Sequence, residues 1–316
     1  MNTKSFMRIL TLVAVVLMAT CGACAKPAPD AAVLEESSAP GIVQGDTVEV
    51  MSQAMGRAIK NTVIVPAQYF DEKLQEERYP VLYLLHGAYG EYNNWAKKTD
   101  LDAIASQYGV IIVCPDGQDS WYFDSPIDPK MQFETYISKE LVAYIDNSYR
   151  TYDSRYMRAI TGLSMGGHGA LYLAWRHPDV FWSCGSMSGG VDITNYPDNW
   201  HIKDRLGEQA SNRQRWHDNT VTNMVGLLKA SDLTPAQNII IDDGLNDIFI
   251  KDNIALHDKL VEAGIDHDFT VRPGRHSWDY WINSLDYHIL FFSKAFARGI
   301  ELMNQDNNLT NTTPQR

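Results

Sequence analysis

The clearest chemical signal is the hexapeptide GLSMGG at residues 162–167, which contains a G-x-S-x-G motif. An apolar run typical of a buried strand precedes it, and a helical pattern of apolar residues follows it. In this context the serine lies on a sharp strand-to-helix turn, where glycine is needed two positions to either side. The helix start also directs free N–H groups at the turn, which favours negative charge there. The motif predicts Ser164 as a nucleophile, although a glycine-rich helix start that only packs tightly would have the same spacing.

A serine hydroxyl needs a base that takes its proton, and His276 is the best-placed histidine. It follows the last predicted strand and precedes the final helical segment. The other candidates lie inside helical patterns or before the last strand: His168, His257, His267 and His288. His276 is therefore the predicted general base.

The segment DDGLND at residues 242–247 contains three acids that could orient this histidine. Asp242 and Asp243 lie at the end of a predicted strand, whereas Asp247 follows the turn and opens the next helix. With Asp247, the chain order of nucleophile, acid and base is that of the α/β hydrolases. Asp247 is the predicted third member, and Asp243 is the main alternative.

Negative charge that develops on an attacked carbonyl oxygen needs two backbone N–H donors. Met165 supplies one, because it directly follows the nucleophile. The second is predicted in the flexible turn HGAYG at residues 86–90, with Ala88 as the donor and Tyr89 as the alternative. His86 is interpreted as a hydrogen-bonding brace of this loop.

Strands and helices alternate along the chain and must position these residues. Continuous apolar runs predict six strands buried on both faces, at residues 80–85, 110–114, 158–163, 181–187, 238–241 and 269–271. An antiparallel pair at residues 48–56 and 58–66 precedes them. Helical patterns cover residues 135–149, 165–175, 248–263 and 278–298. The alternation predicts an α/β fold: a mostly parallel central sheet with helices on both faces, in a single domain.

Residues 191–236 interrupt this alternation, because they contain no strong strand pattern. An insertion at the top of such a sheet commonly forms a lid or a substrate wall near the active site. Residues 301–316 are rich in Asn, Gln and Thr, and we predict a disordered tail there. The predicted catalytic domain therefore spans residues 46–300.

The N-terminus has the composition of an export signal. Two basic residues, Lys4 and Arg8, precede an apolar run at residues 9–18 that is too short for a comfortable membrane span. Small residues follow, with an A-x-A site ending at Ala25. Residues 1–25 are therefore predicted to be a signal segment.

The segment after the signal, residues 26–45, is rich in Ala, Pro, Ser and Glu and is predicted to be a flexible tether. A competing interpretation is lipidation at Cys21 or Cys24, which would anchor the mature protein by a lipid. Both interpretations predict an exported protein, either periplasmic, secreted or an outer-surface lipoprotein.

Composition excludes several classes of protein. The chain has 316 residues, of which 45% are hydrophobic, and this share supports a buried core rather than general disorder. Its formal net charge of −12 argues against nucleic acid as a partner, because no basic stripe is present to contact phosphates. No transmembrane domain is predicted in the mature chain.

The ordered set of motifs resembles the esterase-D-type α/β hydrolases, which include feruloyl, acetyl xylan and tributyrin esterases and S-formylglutathione hydrolases. The segments are His86-Gly87, Trp121-Tyr122 after Pro115-Asp116-Gly117, the motif at 162–167, Gly244-Leu245-Asn246-Asp247 and His276-Ser277-Trp278. The resemblance covers about residues 46–300 and implies an α/β-hydrolase fold. It also implies the site: a Ser164, Asp247 and His276 triad, an oxyanion hole of Ala88 and Met165, and no metal or other cofactor.

The strand order usual for this fold also bears on the two cysteines that follow the signal segment. It puts two strands between those of Cys114 and Cys184, and three spacings of about 4.8 Å separate them by roughly 14 Å. This exceeds the reach of a disulfide, so both are predicted to be buried thiols.

The predicted partner is an ester substrate. Predicted export argues against the S-formylglutathione branch, whose task is cytosolic. Six aromatic residues expected near the mouth of the site could stack on a sugar or a phenolic acid: Tyr89, Trp95, Trp121, Tyr122, Trp200 and Trp278. Four of them are predicted to bind substrate: Tyr89, Trp121, Tyr122 and Trp278. We therefore predict a serine carboxylic-ester hydrolase that removes acetyl or feruloyl groups from plant polysaccharide. The alternatives are an acyltransferase with the same triad, a short-chain esterase of tributyrin type and a noncatalytic carbohydrate-binding protein.

Overall fold

The computed structural model describes the backbone of residues 45–311 and the side chains of residues 45–305. Eight strands form one sheet: β1 Asp46–Ser52, β2 Arg57–Ile64, β3 Val81–Leu85, β4 Ile111–Pro115, β5 Arg158–Gly162, β6 Ser183–Met187, β7 Asn238–Gly244 and β8 Asp268–Arg272. Their order in the sheet is β1-β2-β4-β3-β5-β6-β7-β8. β2 pairs antiparallel with β1 and β4, and the strands from β4 to β8 run parallel. The structure confirms the predicted hairpin and the mostly parallel sheet.

Helices cover both faces of this sheet. They are α1 Asn94–Lys98, α2 Leu101–Tyr108, α3 Phe133–Thr135, α4 Val142–Ser148, α5 Met165–Arg176, α6 Ile202–Leu206, α7 Arg213–Asp218, α8 Val225–Ala230, α9 Ile250–Ala263 and α10 Trp278–Asn311. Side chains of α3, α4, α5 and α9 share one core cluster with Val81, Tyr83 and Leu85 of β3. Side chains of α1, α2 and α10 share the other with Leu82 and Leu84. Since β3 buries both of its faces, its sequence is apolar without alternation, and the predicted α/β-hydrolase architecture is confirmed.

Two helices differ from their predicted extents. The helix predicted at residues 135–149 begins at Phe133, and a π-helical segment, Tyr136–Leu141, joins α3 to α4. The last helix continues through residues 301–311, where we predicted a disordered tail. Met303 packs against the core cluster that α10 shares with α1 and α2. Apolar contact of this helix with the core therefore extends beyond residue 298, where the predicted helix ends.

The predicted signal segment, residues 1–25, and the predicted tether, residues 26–45, lie outside the described residues apart from Gly45. Within residues 45–311, none of the helices has the length and apolar character needed to cross a membrane.

The predicted insertion at residues 191–236 consists of short helices, including α6, α7 and α8, and contains no strand. It buries Trp216 in the main core and is also held by hydrogen bonds to distant parts of the chain. His168 of α5 donates from Nε2 to the carbonyl oxygen of Asn219 at 3.0 Å. The indole N–H of Trp121 donates to the carbonyl oxygen of Trp200 at 2.9 Å. The insertion is therefore fixed to the helix that follows the G-x-S-x-G turn.

The two cysteines of the described region, Cys114 and Cys184, are free and buried. They lie on β4 and β6, and β3 and β5 separate these strands in the sheet. Burial raises the pKa of both thiols. The prediction of two isolated buried thiols is confirmed.

Candidate active site

Ser164 lies at the turn between β5 and α5 with φ 55° and ψ −117°. This left-handed backbone is costly for a residue with a side chain and is typical of strained functional turns. A Cβ on Gly162 would come within 2.7 Å of the Gly166 backbone, and one on Gly166 within 2.6 Å of the carbonyl oxygen of His86. The turn is thus possible only because both flanking positions of the motif are glycine.

Three predicted residues form one hydrogen-bonded line. Nε2 of His276 lies 2.9 Å from Oγ of Ser164. Nδ1 of the same imidazole lies 3.0 Å from Oδ1 and 2.9 Å from Oδ2 of Asp247. Since the carboxylate can only accept, Nδ1 carries the proton and Nε2 is free to accept the serine proton. The arrangement can therefore activate the Ser164 hydroxyl.

The turn after β7 holds the carboxylate of Asp247 in place. Asp247 donates its N–H to the carbonyl oxygen of Gly244, and its Oδ1 accepts the N–H of Phe249 at 2.9 Å. The Phe249 ring also packs edge-on against His276, with ring centroids 5.2 Å apart. Backbone hydrogen bonds and packing therefore hold both partners of the 2.9 Å contact.

The other acids of the DDGLND segment do not reach His276. Asp242 pairs with Arg272 of β8. Asp243 accepts the N–H of Gly244 at 2.7 Å. The structure thus brings Asp247, rather than Asp243, into contact with the predicted base.

The other histidines make separate contacts. His257 and His267 bond to each other at 2.8 Å, and Nδ1 of His288 lies 2.8 Å from Oγ1 of Thr161. Burial lowers the pKa of His168 to about 3, which keeps this ring neutral. Among the described side-chain contacts, only the imidazole of His276 bonds to the hydroxyl of Ser164.

The two predicted oxyanion donors lie on either side of the nucleophile. Met165 is the first residue of α5, and Ala88 lines the cavity that contains Ser164. The N–H of Tyr89 is already used, because it donates to Oδ1 of Asp119 at 2.6 Å. Within residues 45–305, the amides of Ala88 and Met165 make no such hydrogen bond. The geometry therefore favours Ala88 over Tyr89 as the second donor.

His86 holds the loop that carries Ala88. The N–H of Gly117 donates to Nε2 of His86 at 2.8 Å, so the proton of this imidazole lies on Nδ1. Nδ1 in turn donates to the carbonyl oxygen of Gly87 at 2.7 Å. Because both ring nitrogens are engaged in the scaffold, His86 acts as the brace that we predicted.

A cavity of about 520 Å³ opens above Ser164 and His276. Four aromatic side chains contribute to its wall: Tyr89, Trp200, Trp278 and Trp281. Tyr89 is 69% exposed, and its ring meets that of His201 edge-on at 5.8 Å. Tyr89, Trp200 and His201 all have positive φ, so a strained backbone presents the residues at the mouth.

Two of the four residues predicted to bind substrate are structural, and the prediction was wrong for both. Trp121 and Tyr122 are buried and are absent from the wall of this cavity. Tyr122 donates its hydroxyl to the carbonyl oxygen of His86 at 3.0 Å, and Trp121 supports the insertion through Trp200. Both follow a strand end in the sequence, as a binding residue would, but their side chains turn into the protein.

Trp200, which we expected near the mouth, lines the cavity, whereas Trp95 is buried and donates its indole N–H to the carbonyl oxygen of Leu85 at 3.0 Å. One aromatic residue of the cavity wall, Trp281, was not predicted. Trp281 lies one helical turn after Trp278 on α10, and the two rings pack edge-on at 5.5 Å. This i,i+3 spacing was a usable signal, because it places both rings on one helix face.

Comparisons with known sequences find related proteins. Residues 52–292 match the model of the family described as putative esterase. The chain is 26% identical over 243 residues to an acetyl esterase of Caldicellulosiruptor saccharolyticus, covering 70% of this chain and 89% of that protein. It is 27% identical over 219 residues to an S-formylglutathione hydrolase of Bos taurus, covering 62% of this chain and 74% of that protein.

Solved structures show the same fold. A ferulic acid esterase superposes with a TM-score of 0.66 and 27% identity, covering 79% of this chain and 98% of that one. A fluorophosphonate-binding serine hydrolase of Staphylococcus aureus superposes with a TM-score of 0.70 over 78% of this chain and 97% of that one. At 21% identity, the second likeness concerns the fold alone.

Proposed function

The chain belongs to the putative esterase family and is a serine carboxylic-ester hydrolase, and from this premise we propose that Ser164, His276 and Asp247 are its catalytic triad. The observation that carries the proposal is the hydrogen-bonded line from the Ser164 hydroxyl through the imidazole to the Asp247 carboxylate. The same constellation of nucleophile, base and orienting acid drives acyl transfer on several unrelated folds.

In the proposed first half-reaction, His276 Nε2 takes the proton of Ser164 as Oγ attacks the ester carbonyl. The carbonyl oxygen becomes negatively charged and accepts hydrogen bonds from the backbone N–H groups of Ala88 and Met165. The ester C–O bond then breaks, and the alcohol leaves with the proton that His276 returns. The acyl group stays on Oγ as an acyl-enzyme.

In the proposed second half-reaction, water enters where the alcohol left. His276 takes a proton from this water as its oxygen attacks the acyl carbonyl. The bond to Oγ of Ser164 breaks, the carboxylic acid departs and the serine recovers its proton from His276. Asp247 keeps its charge throughout and stabilises the imidazolium that forms in each half-reaction.

The proposed substrate is an acetyl or feruloyl ester of plant polysaccharide. A cavity of about 520 Å³ is large enough for a small acyl group and part of its alcohol. The aromatic rings of Trp200 and Trp278 in its wall favour planar or sugar-like groups, which stack on such surfaces. The similarity to an acetyl esterase and to a ferulic acid esterase supports the same substrate class.

This proposal predicts which esters the enzyme cleaves and which product it releases. We expect the purified enzyme to cleave p-nitrophenyl acetate and methyl ferulate, and to release acetate or ferulate from acylated xylan. Adding an alcohol acceptor should leave free acid as the main product, because water is the proposed second substrate. Failure to cleave any ester would contradict the hydrolase, and transfer of most acyl groups to the acceptor would indicate an acyltransferase.

We also propose that the protein is exported, because the basic start and the apolar run of residues 9–18 have the composition of a signal segment. We expect the mature protein to begin at Lys26 or, if lipidated, at Cys21 or Cys24. Intact-mass measurement of the protein from its native host distinguishes these outcomes. A cytoplasmic chain that retains residues 1–25 would contradict export.

A further inference from the structure

Three buried carboxyl groups meet at the end of β7 and in the turn after it: Asp242, Asp243 and Asp247. Two of them have a positively charged or protonatable partner. Asp242 pairs with the guanidinium of Arg272, and Asp247 bonds to the imidazole of His276. A buried carboxylate without such a partner is costly, so the state of the third group, Asp243, needs an explanation.

Asp243 is bonded by neutral donors. Its Oδ1 accepts the N–H of Gly244 at 2.7 Å, and its Oδ2 accepts Nδ2 of Asn253 at 2.9 Å. Within residues 45–305, no cationic side chain pairs with it. Both donors belong to the structure around the acid turn: Gly244 starts the turn, and Asn253 lies on α9, which follows it.

Charged and titratable groups surround Asp243 on several elements. Asp242 lies on the same strand as Asp243, and Asp247 lies in the turn that follows. The other charged or titratable groups are Arg272 on β8, His276 in the loop before α10, and Tyr280 and His288 on α10. The contribution of α9 is the neutral side chain of Asn253. The guanidinium of Arg272 is already paired with Asp242, and the imidazole of His276 is bonded to Asp247. Burial first, and then the negative charge of Asp247, raise the pKa of Asp243 to about 8.

We propose that Asp243 is a positioning residue that works as a neutral carboxylic acid, and that loss of its proton slows ester hydrolysis on the alkaline side. The inference rests on the proposed roles of Asp247 and His276. While protonated, Asp243 supports the Gly244 N–H without repelling the carboxylate of Asp247. Once it ionises, two buried negative charges repel each other across the turn that holds Asp247 against His276.

The pH profile of Asp243→Asn tests this proposal, because an amide cannot ionise. In the wild type, we expect kcat/KM to fall about tenfold between about pH 7.5 and 9.5, as a group with a pKa near 8 loses its proton. In Asp243→Asn, the same ratio should stay near one. Asp258→Asn, an exposed carboxylate of α9, is the matched control and should reproduce the wild-type profile. An alkaline limb of equal position and depth in both Asp243→Asn and the wild type would overturn the proposal.

Stability offers a second measurement with a defined sign. The pKa of Asp243 is higher in the folded state than its ordinary value of 3.8, so its contribution to stability is fully present below about pH 4 and is lost as the pH rises to about 8. The midpoint of urea unfolding should therefore fall more steeply between pH 5 and 8 in the wild type than in Asp243→Asn. Equal slopes would count against a neutral Asp243.

If Asp243→Asn does not fold, infrared spectroscopy of the wild type decides the question. A protonated carboxyl band that persists at pH 7 and disappears near pH 8 supports the proposal, and its absence at pH 7 overturns it. Failure of the proposed function has a different signature. Full activity of Asp247→Asn would contradict the triad, whatever the pH profile of the Asp243 variant.

Discussion

Replacement of Ser164 by alanine should lower kcat for p-nitrophenyl acetate by about 10⁶-fold, which is the order of the loss when a serine nucleophile is removed. Without Oγ, no acyl-enzyme can form, and only a slow attack by water remains. A fluorophosphonate probe that phosphonylates activated serines should label the wild type and leave Ser164→Ala unlabelled. Both readouts follow from the 2.9 Å contact between Oγ and His276.

Ser186→Ala is the matched control for this variant. Ser186 is buried on β6, beside the strand that ends at the nucleophile turn, and its hydroxyl has no hydrogen-bond partner among the described residues. We expect Ser186→Ala to keep activity and labelling. Activity of Ser164→Ala close to that of the wild type would show that another residue is the nucleophile.

The second large effect concerns the acid. Asp247→Asn should lower kcat about 10⁴-fold, because an amide that donates to Nδ1 of His276 favours the tautomer that cannot accept the serine proton. KM should change little, since the Asp247 side chain is fully buried behind the imidazole. Steady-state kinetics at neutral pH measures both constants.

Asp252→Asn is a suitable control for Asp247→Asn. Asp252 lies five residues further along the chain and accepts hydrogen bonds from Tyr196 and Asn195, with no contact to His276. We expect its kcat to remain within a few-fold of the wild type. A loss in Asp252→Asn as large as in Asp247→Asn would indicate that disruption of α9, rather than loss of the orienting carboxylate, causes the defect.

The architecture was predictable from the sequence because strands buried on both faces leave long apolar runs. The role of Ser164 was equally predictable, since the G-x-S-x-G motif indicates a nucleophile only when it lies between a strand and a helix. The choice between Asp243 and Asp247 was harder, because Asp243 lies at the end of the strand that Asp247 follows. The conformation of the turn at residues 244–247 determines which carboxylate contacts His276. Local sequence patterns specify such turns only weakly.

Contacts between distant parts of the chain account for the misses. Trp121 follows a strand end in the same way as a binding residue would, but its ring is buried by contacts with His168 of α5 and with the insertion. Beyond residue 300, Met303 packs against the core cluster, a contact that a single apolar residue in a polar segment does not reveal.

The hydrogen bond between Trp121 and the insertion has an evolutionary consequence. The indole of Trp121 bonds to the carbonyl oxygen of Trp200, so the anchor does not depend on which side chain occupies position 200. That side chain contributes to the wall of the cavity, whereas its backbone secures the insertion. Residue 200 can therefore be exchanged during evolution, within the types that tolerate a left-handed φ of 46°, so that the cavity wall changes while its backbone anchor is kept.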